Sequence, residues 1–576
     1  MKKYLLLLSF LGVLISTMIF SGCDSIFPPN VTPTPTSMPT PTATVPIETP
    51  AIGSWGDQGN GTYKNPVLYA NYPDADIEKQ GDTWYMISST NNMAPGMTIL
   101  ESKDLVNWSL VTNIVGNLSW MPEYNYDSLA APGNAGGVWA GDLAYHNNKW
   151  YCYFIDKNKG LFVCTADNIR GPWSEAKSLL ENTGMTDPAV YWDEEEQQAY
   201  LVCHTSTING VYENKIFKMA WDGMSLEDED NAKVFYQGTR VEAIKVYKVN
   251  GYYYFFYAGT LNNDRKQFLI RSKSIYGPYE EPRILLEKSV SPATSPNRGA
   301  CQGALVQTPD GKWWYMHQLM QDTTATNTSY EGRPQCLIPV TWENDWPVLG
   351  TDPDGNGIGN TVDQWQKPIN GYPINAPQTD DSFDSSVLSP QWEWFYNPNN
   401  LFWSLTDRPG YLRLKAMRPL TENNFYKVPN VISQRKMGRG NDTITTEIDI
   451  SQMKPLQQAG LAHRGGTAYN FRIAVEVDSN NVKKIITNFN NSSNVEIATI
   501  DSEKIWLRSS GKGNAFRFSY SVDGKDFIEA GDNFTLIKSG QYGHDAGRIC
   551  LYSYSPTGEG YIDVAWFTYK YDGPKK

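Results

Sequence analysis

Asn250-Gly-Tyr-Tyr-Tyr254 is the stretch on which the fold turns. Asn-Gly suits the positive φ angles of a two-residue hairpin turn, and the tyrosines after it favour an extended chain, so these residues read as a turn opening the second strand of a β-hairpin. The same arrangement recurs at Gly81-Asp-Thr-Trp-Tyr85, Asn147-Asn-Lys-Trp-Tyr151, Glu196-Gln-Gln-Ala-Tyr200 and Asp310-Gly-Lys-Trp-Trp314. The closing aromatic falls at 85, 151, 200, 254 and 314, a period of 49 to 66 residues. That is far longer than a hairpin needs and matches a four-stranded propeller blade. A second repeat keeps the same phase: Ser102-Lys-Asp-Leu-Val-Asn-Trp108, Ala166-Asp-Asn-Ile-Arg-Gly-Pro-Trp173 and Ser272-Lys-Ser-Ile-Tyr-Gly-Pro-Tyr279. Two motifs in one phase predict an all-β, five-bladed propeller over residues 61–350 rather than a sandwich with coincidental hairpins.

Outward from the repeats, the ends of the chain have their own character. Residues 1–23 begin Met1-Lys-Lys, run through an apolar stretch to about Phe20 and end Ser21-Gly-Cys23, the layout of an export signal. The ending Gly22-Cys23 resembles a bacterial lipoprotein signal, in which Cys23 becomes the lipidated first residue; an uncleaved transmembrane anchor is the alternative. Residues 24–60 include the Pro/Thr-rich run Thr32-Pro-Thr-Pro-Thr-Ser-Met-Pro-Thr-Pro-Thr, which cannot bury a core and is expected to form an extended stalk. An exported, surface-anchored or extracellular protein is the expectation. The net charge of −13 argues against nucleic acid or an anionic membrane surface as partner, so the membrane enters only through the N-terminal anchor.

Chemistry narrows by what the motifs offer. Cys152, Cys164, Cys203, Cys301, Cys336 and Cys550 lack metal-ligand spacing and read as buried thiols, and the five histidines form no zinc motif. No nucleophile elbow, phosphate loop or dinucleotide fingerprint is present. Carboxylates remain. Asp74, Asp187 and Glu242 lie 7, 9 and 8 residues before the hairpin turns of three repeats, each introducing an apolar strand, so a circular arrangement brings them to one end of the axis. Two carboxyl groups, one protonated and one ionised, suffice to hydrolyse a glycosidic bond, and a third nearby raises its neighbour's proton affinity. Asp76 is the rival of Asp74.

Tyr72-Pro-Asp-Ala-Asp76, the Gly81 hairpin, Ser102-Lys-Asp-Leu-Val-Asn-Trp108, Gly137-Val-Trp-Ala140 with Tyr145-His146, Asp187-Pro-Ala189, and Glu242 before Tyr247-Lys-Val-Asn-Gly-Tyr-Tyr together resemble glycoside hydrolase family 43, in order from about Asn65 to Gly350. The resemblance implies an inverting propeller enzyme acting as a β-xylosidase or α-L-arabinofuranosidase on plant hemicellulose fragments. It implies Asp74 as general base, Glu242 as general acid and Asp187 as the residue that tunes and orients the acid. Trp139 then lines the sugar pocket, and Arg333, in Gly332-Arg-Pro-Gln-Cys-Leu-Ile-Pro-Val340, contacts sugar and base. Cys301 stands where related xylosidases carry a histidine that helps hold an axial calcium or water. No cofactor is therefore expected to be required, with a structural calcium left as an alternative. Asp352-Pro-Asp-Gly-Asn-Gly357 carries the oxygen donors of a calcium loop but lacks a Glu at position twelve, and reads as a turn.

Residues 351–380, rich in Gly, Pro and Asn, read as a linker. Period-two alternation resumes over 381–575, as in Thr443-Ile-Thr-Thr-Glu-Ile-Asp-Ile450 and Tyr561-Ile-Asp-Val-Ala-Trp-Phe567, and predicts a two-sheet β-sandwich. It resembles the concanavalin-like jelly roll appended to family 43 xylosidases, where its role is structural support or, alternatively, sugar binding. Two functional rivals stay open: a non-catalytic surface carbohydrate-binding propeller, and a retaining enzyme with Asp74 as nucleophile.

Overall fold

The structure, a computed structural model, describes residues 52–575 except 126–135, 182–183, 207–210, 228, 240, 262–263, 289–299, 320–329, 396, 422–423, 466–468 and 538–545. Cys23, the signal segment and most of the expected stalk lie outside these residues. Among the described residues five sheets follow one another along the chain, each built on four consecutive antiparallel strands, the fourth sheet gaining a short parallel fifth strand from farther along the chain. Their innermost strands are Asp76–Gln80, Gly141–His146, Met185–Asp193, Glu242–Val249 and Ala300–Gln307. The hairpin repeats form the turn between first and second strands of each blade. Asn147 and Asn148, at φ 49° and 61°, and Asn250 and Gly251, at 50° and 76°, take the left-handed pair that such tight turns demand. The second repeat forms the connection from third to fourth strand in blades one, two and four.

Each innermost strand has one edge without a neighbouring strand, and its buried amides need acceptors. A ring of side chains supplies them. Asp76 of blade one accepts from the Leu143 amide of blade two at 2.7 Å, Asp142 from Val190 of blade three at 3.0 Å, and Asp187 from Ala243 of blade four at 2.8 Å. Gln267 of blade four accepts from Gln302 of blade five at 2.9 Å, and Gln318 of blade five from Asp74 of blade one at 2.8 Å. The circle closes on itself through the catalytic candidates. No strand is shared between first and last blades. Their seam is reinforced by the Leu68–Gln335 bridge and by Thr62–Lys64 pairing with Gln364–Gln366.

Two seven-stranded antiparallel sheets make up the C-terminal sandwich. One apolar cluster runs from Trp84 and Met316 of the propeller into Trp392 and Ile444, and a second joins Ile99 and Phe154 to Ala462 and Tyr552, so the sandwich packs on the propeller flank. Between them sits Glu393, fully buried and paired with both Arg435 and Arg548. Two expectations need correcting. Within residues 52–60, expected as the end of an extended stalk, Trp55–Asp57 pack into the body: Trp55 is buried, stacks on Tyr571 and lies against Gly573, because a large apolar ring gains more by burial than by solvation. The 351–380 segment, expected as a linker, contributes Gly359–Asn360 to blade four and Gln364–Gln366 to the seam sheet.

Candidate active site

Asp74 stands at the entrance to the first inner strand with φ 58°, a left-handed backbone that is costly for a residue with a side chain. Its amide is held by Gln318, and its carboxylate accepts from Arg333 Nη1 at 2.6 Å. Arg333 is itself placed by donating its backbone N–H to Asn71 at 3.0 Å. Its Nε and Nη2 are buried with no hydrogen-bond partner among the described residues, which leaves two donors for a ligand. Asp76, the rival, is spoken for: one oxygen accepts from Leu143 and the other pairs with Lys245 at 3.0 Å.

Asp187 repeats the left-handed backbone at φ 52°, but in blade four the left-handed residue is Ala243, at φ 59°. Glu242 therefore sits one residue earlier than the other two acids, and the three positions are not equivalent as the spacing suggested. A bulge follows each acid of this pair, between Thr186 and Ala189 and between Glu242 and Lys245. The bulge turns the Ala243 amide toward Asp187, which accepts it, and so fixes the chain immediately behind Glu242.

Burial pushes the Asp187 carboxyl up to about 8, helped by the negative charges of Glu242 and Asp74 and opposed by the Ala243 hydrogen bond and the Arg265 charge. Asp187 thus feels both of the other acids. Glu242 is ion-paired with Arg265, a buried guanidinium that also interacts with Cys301. Arg265 had no place in the sequence reading. The available signal was a second cation, Arg265-Lys266, heading the otherwise apolar strand Phe268-Leu-Ile. Trp139 lies on the approach to the second inner strand, its amide bound to Ile155 and its ring under Lys157 at 5.9 Å. A small cavity beneath the acids is lined by Asp74, Ala140, Asp187, Ala243, Lys245 and Gln302.

Asp187, His204 and Glu242 bring potential ligand atoms within 4.8 Å of one another. A cation there would meet the Arg265 charge already on Glu242, and His204 is pushed down to about 3 by burial and by Arg265. Cys301, in the place of the axial histidine, is buried between Ala243 and Ala258. In the 352–357 loop, Asp352 spends both carboxylate oxygens on the amides of Asn356 and Gly357, the pattern of a turn. The six cysteines after Cys23 are free and buried.

A propeller with acids from three blades gathered at one end of its axis, bearing a sandwich on its flank, is the architecture of a carbohydrate-cleaving enzyme. Residues 63–347 match the family model for glycosyl hydrolases family 43, and residues 380–570 match the β-xylosidase C-terminal concanavalin A-like domain. A β-xylosidase of Formosa agariphila is 45% identical over 565 residues, covering 91% of this chain and 93% of the relative. A non-reducing end α-L-arabinofuranosidase of Bacteroides ovatus is 28% identical, covering 72% and 76%. A xylan β-1,4-xylosidase from Bacillus halodurans shares the fold with a TM-score of 0.75 at 23% identity, covering 88% of this chain and all of that one. The chain belongs to glycosyl hydrolase family 43 and is a glycoside hydrolase built as a five-bladed propeller with a concanavalin-like sandwich.

Proposed function

We propose that the enzyme is an exo-acting, inverting β-xylosidase that removes β-D-xylosyl units from xylan and arabinoxylan fragments. The observation that carries this reading is that Asp74, held by Arg333, lines one cavity with Asp187, whose carboxyl in turn interacts with Glu242. Asp74, hydrogen-bonded to the Arg333 guanidinium, takes a proton from water as that water attacks the anomeric carbon. The glycosidic C–O bond breaks, and Glu242 delivers a proton to the departing oxygen. Asp187, protonated below about pH 8, keeps a proton within the pair and fixes Glu242 through Ala243. The free Nε and Nη2 of Arg333 are suited to a sugar hydroxyl, and the Trp139 ring to a sugar face. The greater likeness to the β-xylosidase than to the arabinofuranosidase favours xylose as the preferred sugar.

The test is hydrolysis of 4-nitrophenyl β-D-xyloside and α-L-arabinofuranoside, with the first-formed anomer followed by NMR. Asp74→Ala and Glu242→Ala are each expected to lose about 10²–10⁴-fold in kcat/KM. Only the Glu242 variant should recover in part with better leaving groups, which need less protonation. Net retention, or no turnover of aryl glycosides and xylo-oligosaccharides by the wild type, would sink the proposal.

We also infer export and anchoring at the cell surface through a lipidated Cys23, on the Met1–Cys23 signal layout and the Pro/Thr-rich segment after it. Cys23→Ser should move the enzyme from the membrane fraction to the soluble one. Unchanged membrane association would favour a transmembrane anchor instead.

A further inference from the structure

Below the catalytic acids, on the propeller axis, a lysine is buried between two carboxylates. Lys245 Nζ lies 3.0 Å from Asp76, 3.1 Å from Asp142 and 3.0 Å from the Gly141 carbonyl. The remaining oxygens of the two acids are bound to the amides of Leu143 and Val190, so the cluster is hydrogen-bonded on every side. Burial opposes the lysine's charge, but Asp76 and Asp142 outweigh it and hold Lys245 above its ordinary value. Burial likewise pushes Asp142 up while Lys245 pulls it down. With two carboxylates and a carbonyl around the ammonium, the proton stays on the lysine.

The placement of this cluster differs from the rest of the ring. The five side-chain-to-amide bonds join neighbouring blades, whereas Lys245 reaches from blade four across the axis to blades one and two. It lies three residues after Glu242 on one strand, and Asp76 lies two residues after Asp74. Its side chain lines the small cavity under Asp74 and Asp187, and also the larger cavity at the opposite mouth of the propeller, beside Glu78 and Tyr247. It forms the floor between the two.

We propose that Lys245 is a positioning residue for the hydrolysis, tethering the strand that carries Glu242 to the strand that leads from Asp74 and so setting the gap across which water must fit. A buried ion cluster adds little stability over apolar side chains of the same volume, so defined geometry is the role left to it. An inverting enzyme needs such geometry, because base and acid must stand far enough apart to admit water. The inference rests on the reading of Asp74 and Glu242 as base and acid.

Two full-length variants test it: Lys245→Met, and Lys245→Met/Asp76→Asn/Asp142→Asn, which removes the tether without leaving buried charges uncompensated. Each is assayed on 4-nitrophenyl β-D-xyloside and on xylobiose, whose leaving group needs protonation, alongside thermal unfolding and a crystal structure. The expected result for the triple variant is a melting temperature close to wild type and KM within twofold. Its kcat should fall by roughly 100-fold, the scale of a 1 Å misplacement. Xylobiose should lose more than the aryl xyloside, and the Asp74–Glu242 separation should change in the crystal. Wild-type kcat in the triple variant, equal losses on both substrates, or an unchanged separation would overturn the tether. The crystallographic separation reports on the tether even for an enzyme whose wild type turns over neither substrate, an outcome that would count against the β-xylosidase reading alone.

Discussion

Asp187 does two jobs with one carboxyl group. One oxygen accepts the Ala243 amide, and burial, helped by the charges of Glu242 and Asp74, pushes the group up to about 8. The sign of the pH effect follows. A carboxyl whose folded value lies above its unfolded value near 3.8 contributes its full stability below that value, and the contribution is lost as pH rises toward about 8. Asp187→Asn keeps an acceptor for Ala243 but cannot ionise. It should raise the melting temperature at pH 9 relative to wild type and leave it nearly unchanged at pH 4. The same variant should lose the alkaline fall in kcat/KM near pH 8, with kcat reduced about 10- to 100-fold because the pair no longer holds an exchangeable proton. Melting curves at the two pH values and a pH–rate profile check both. At this scale the sequence was informative where a residue carries its own mark, as Asp74 after Pro73 and Asp187 before Pro188 do, whereas Arg333 was legible only through the family resemblance. Arg265 and Lys245 carry no such mark, because a cation in an apolar strand reads as an edge residue until its partners on other blades are known. The one faint signal was phase, since Asp76, Asp142 and Lys245 each lie four residues before the end of their inner strand.

At the level of elements, the inner strands are edge strands inside a protein, and their exposed amides are the structural problem that the ring solves. Gln267 shows how tightly. It is buried, its Oε1 accepts from both the Gln302 amide and the Tyr315 hydroxyl at 2.9 and 2.8 Å, and its Nε2 donates to the Tyr257 carbonyl at 3.0 Å. Gln267→Leu would strand two buried donors. Each costs about 1–3 kcal/mol, so a loss of about 2–6 kcal/mol is expected, read as a lower denaturation midpoint. The hairpin repeats were legible because turn chemistry is local: Asn-Gly demands its backbone whatever surrounds it. The bulges were not, and they moved Glu242 one residue away from the position its spacing implied. A bulge is set by which amide must reach which carboxylate on the next blade, and that depends on the ring being closed.

For the molecule as a whole, the sandwich reaches the catalytic end through a chain of buried polar contacts. Glu393 pairs with Arg435, Arg435 donates to the Asn71 carbonyl at 2.8 Å and covers the Tyr72 ring, and Asn71 holds the Arg333 that holds Asp74. Removing Glu393 would take the carboxylate partner from the buried Arg435 and break the Arg548 ion pair. Glu393→Ala is expected to destabilise the protein by about 3–5 kcal/mol and to lower kcat with it, measured by chemical denaturation and by aryl xyloside turnover on the folded fraction. The sandwich is thereby part of the support of Asp74 rather than an appendage. The sequence by itself determined what rests on local chemistry and periodic pattern: the number of blades, the alternation of the sandwich strands, and the three acids as candidates, with Arg333 added by the family resemblance. Only the tertiary structure decided which acid touches which partner, that Asp76 belongs to Lys245 and Asp74 to Arg333, that Trp55 is core, and that blade four is tied across the axis. Those facts depend on contacts between residues tens to hundreds of positions apart, and such contacts exist only once the propeller has closed and the sandwich has packed against it.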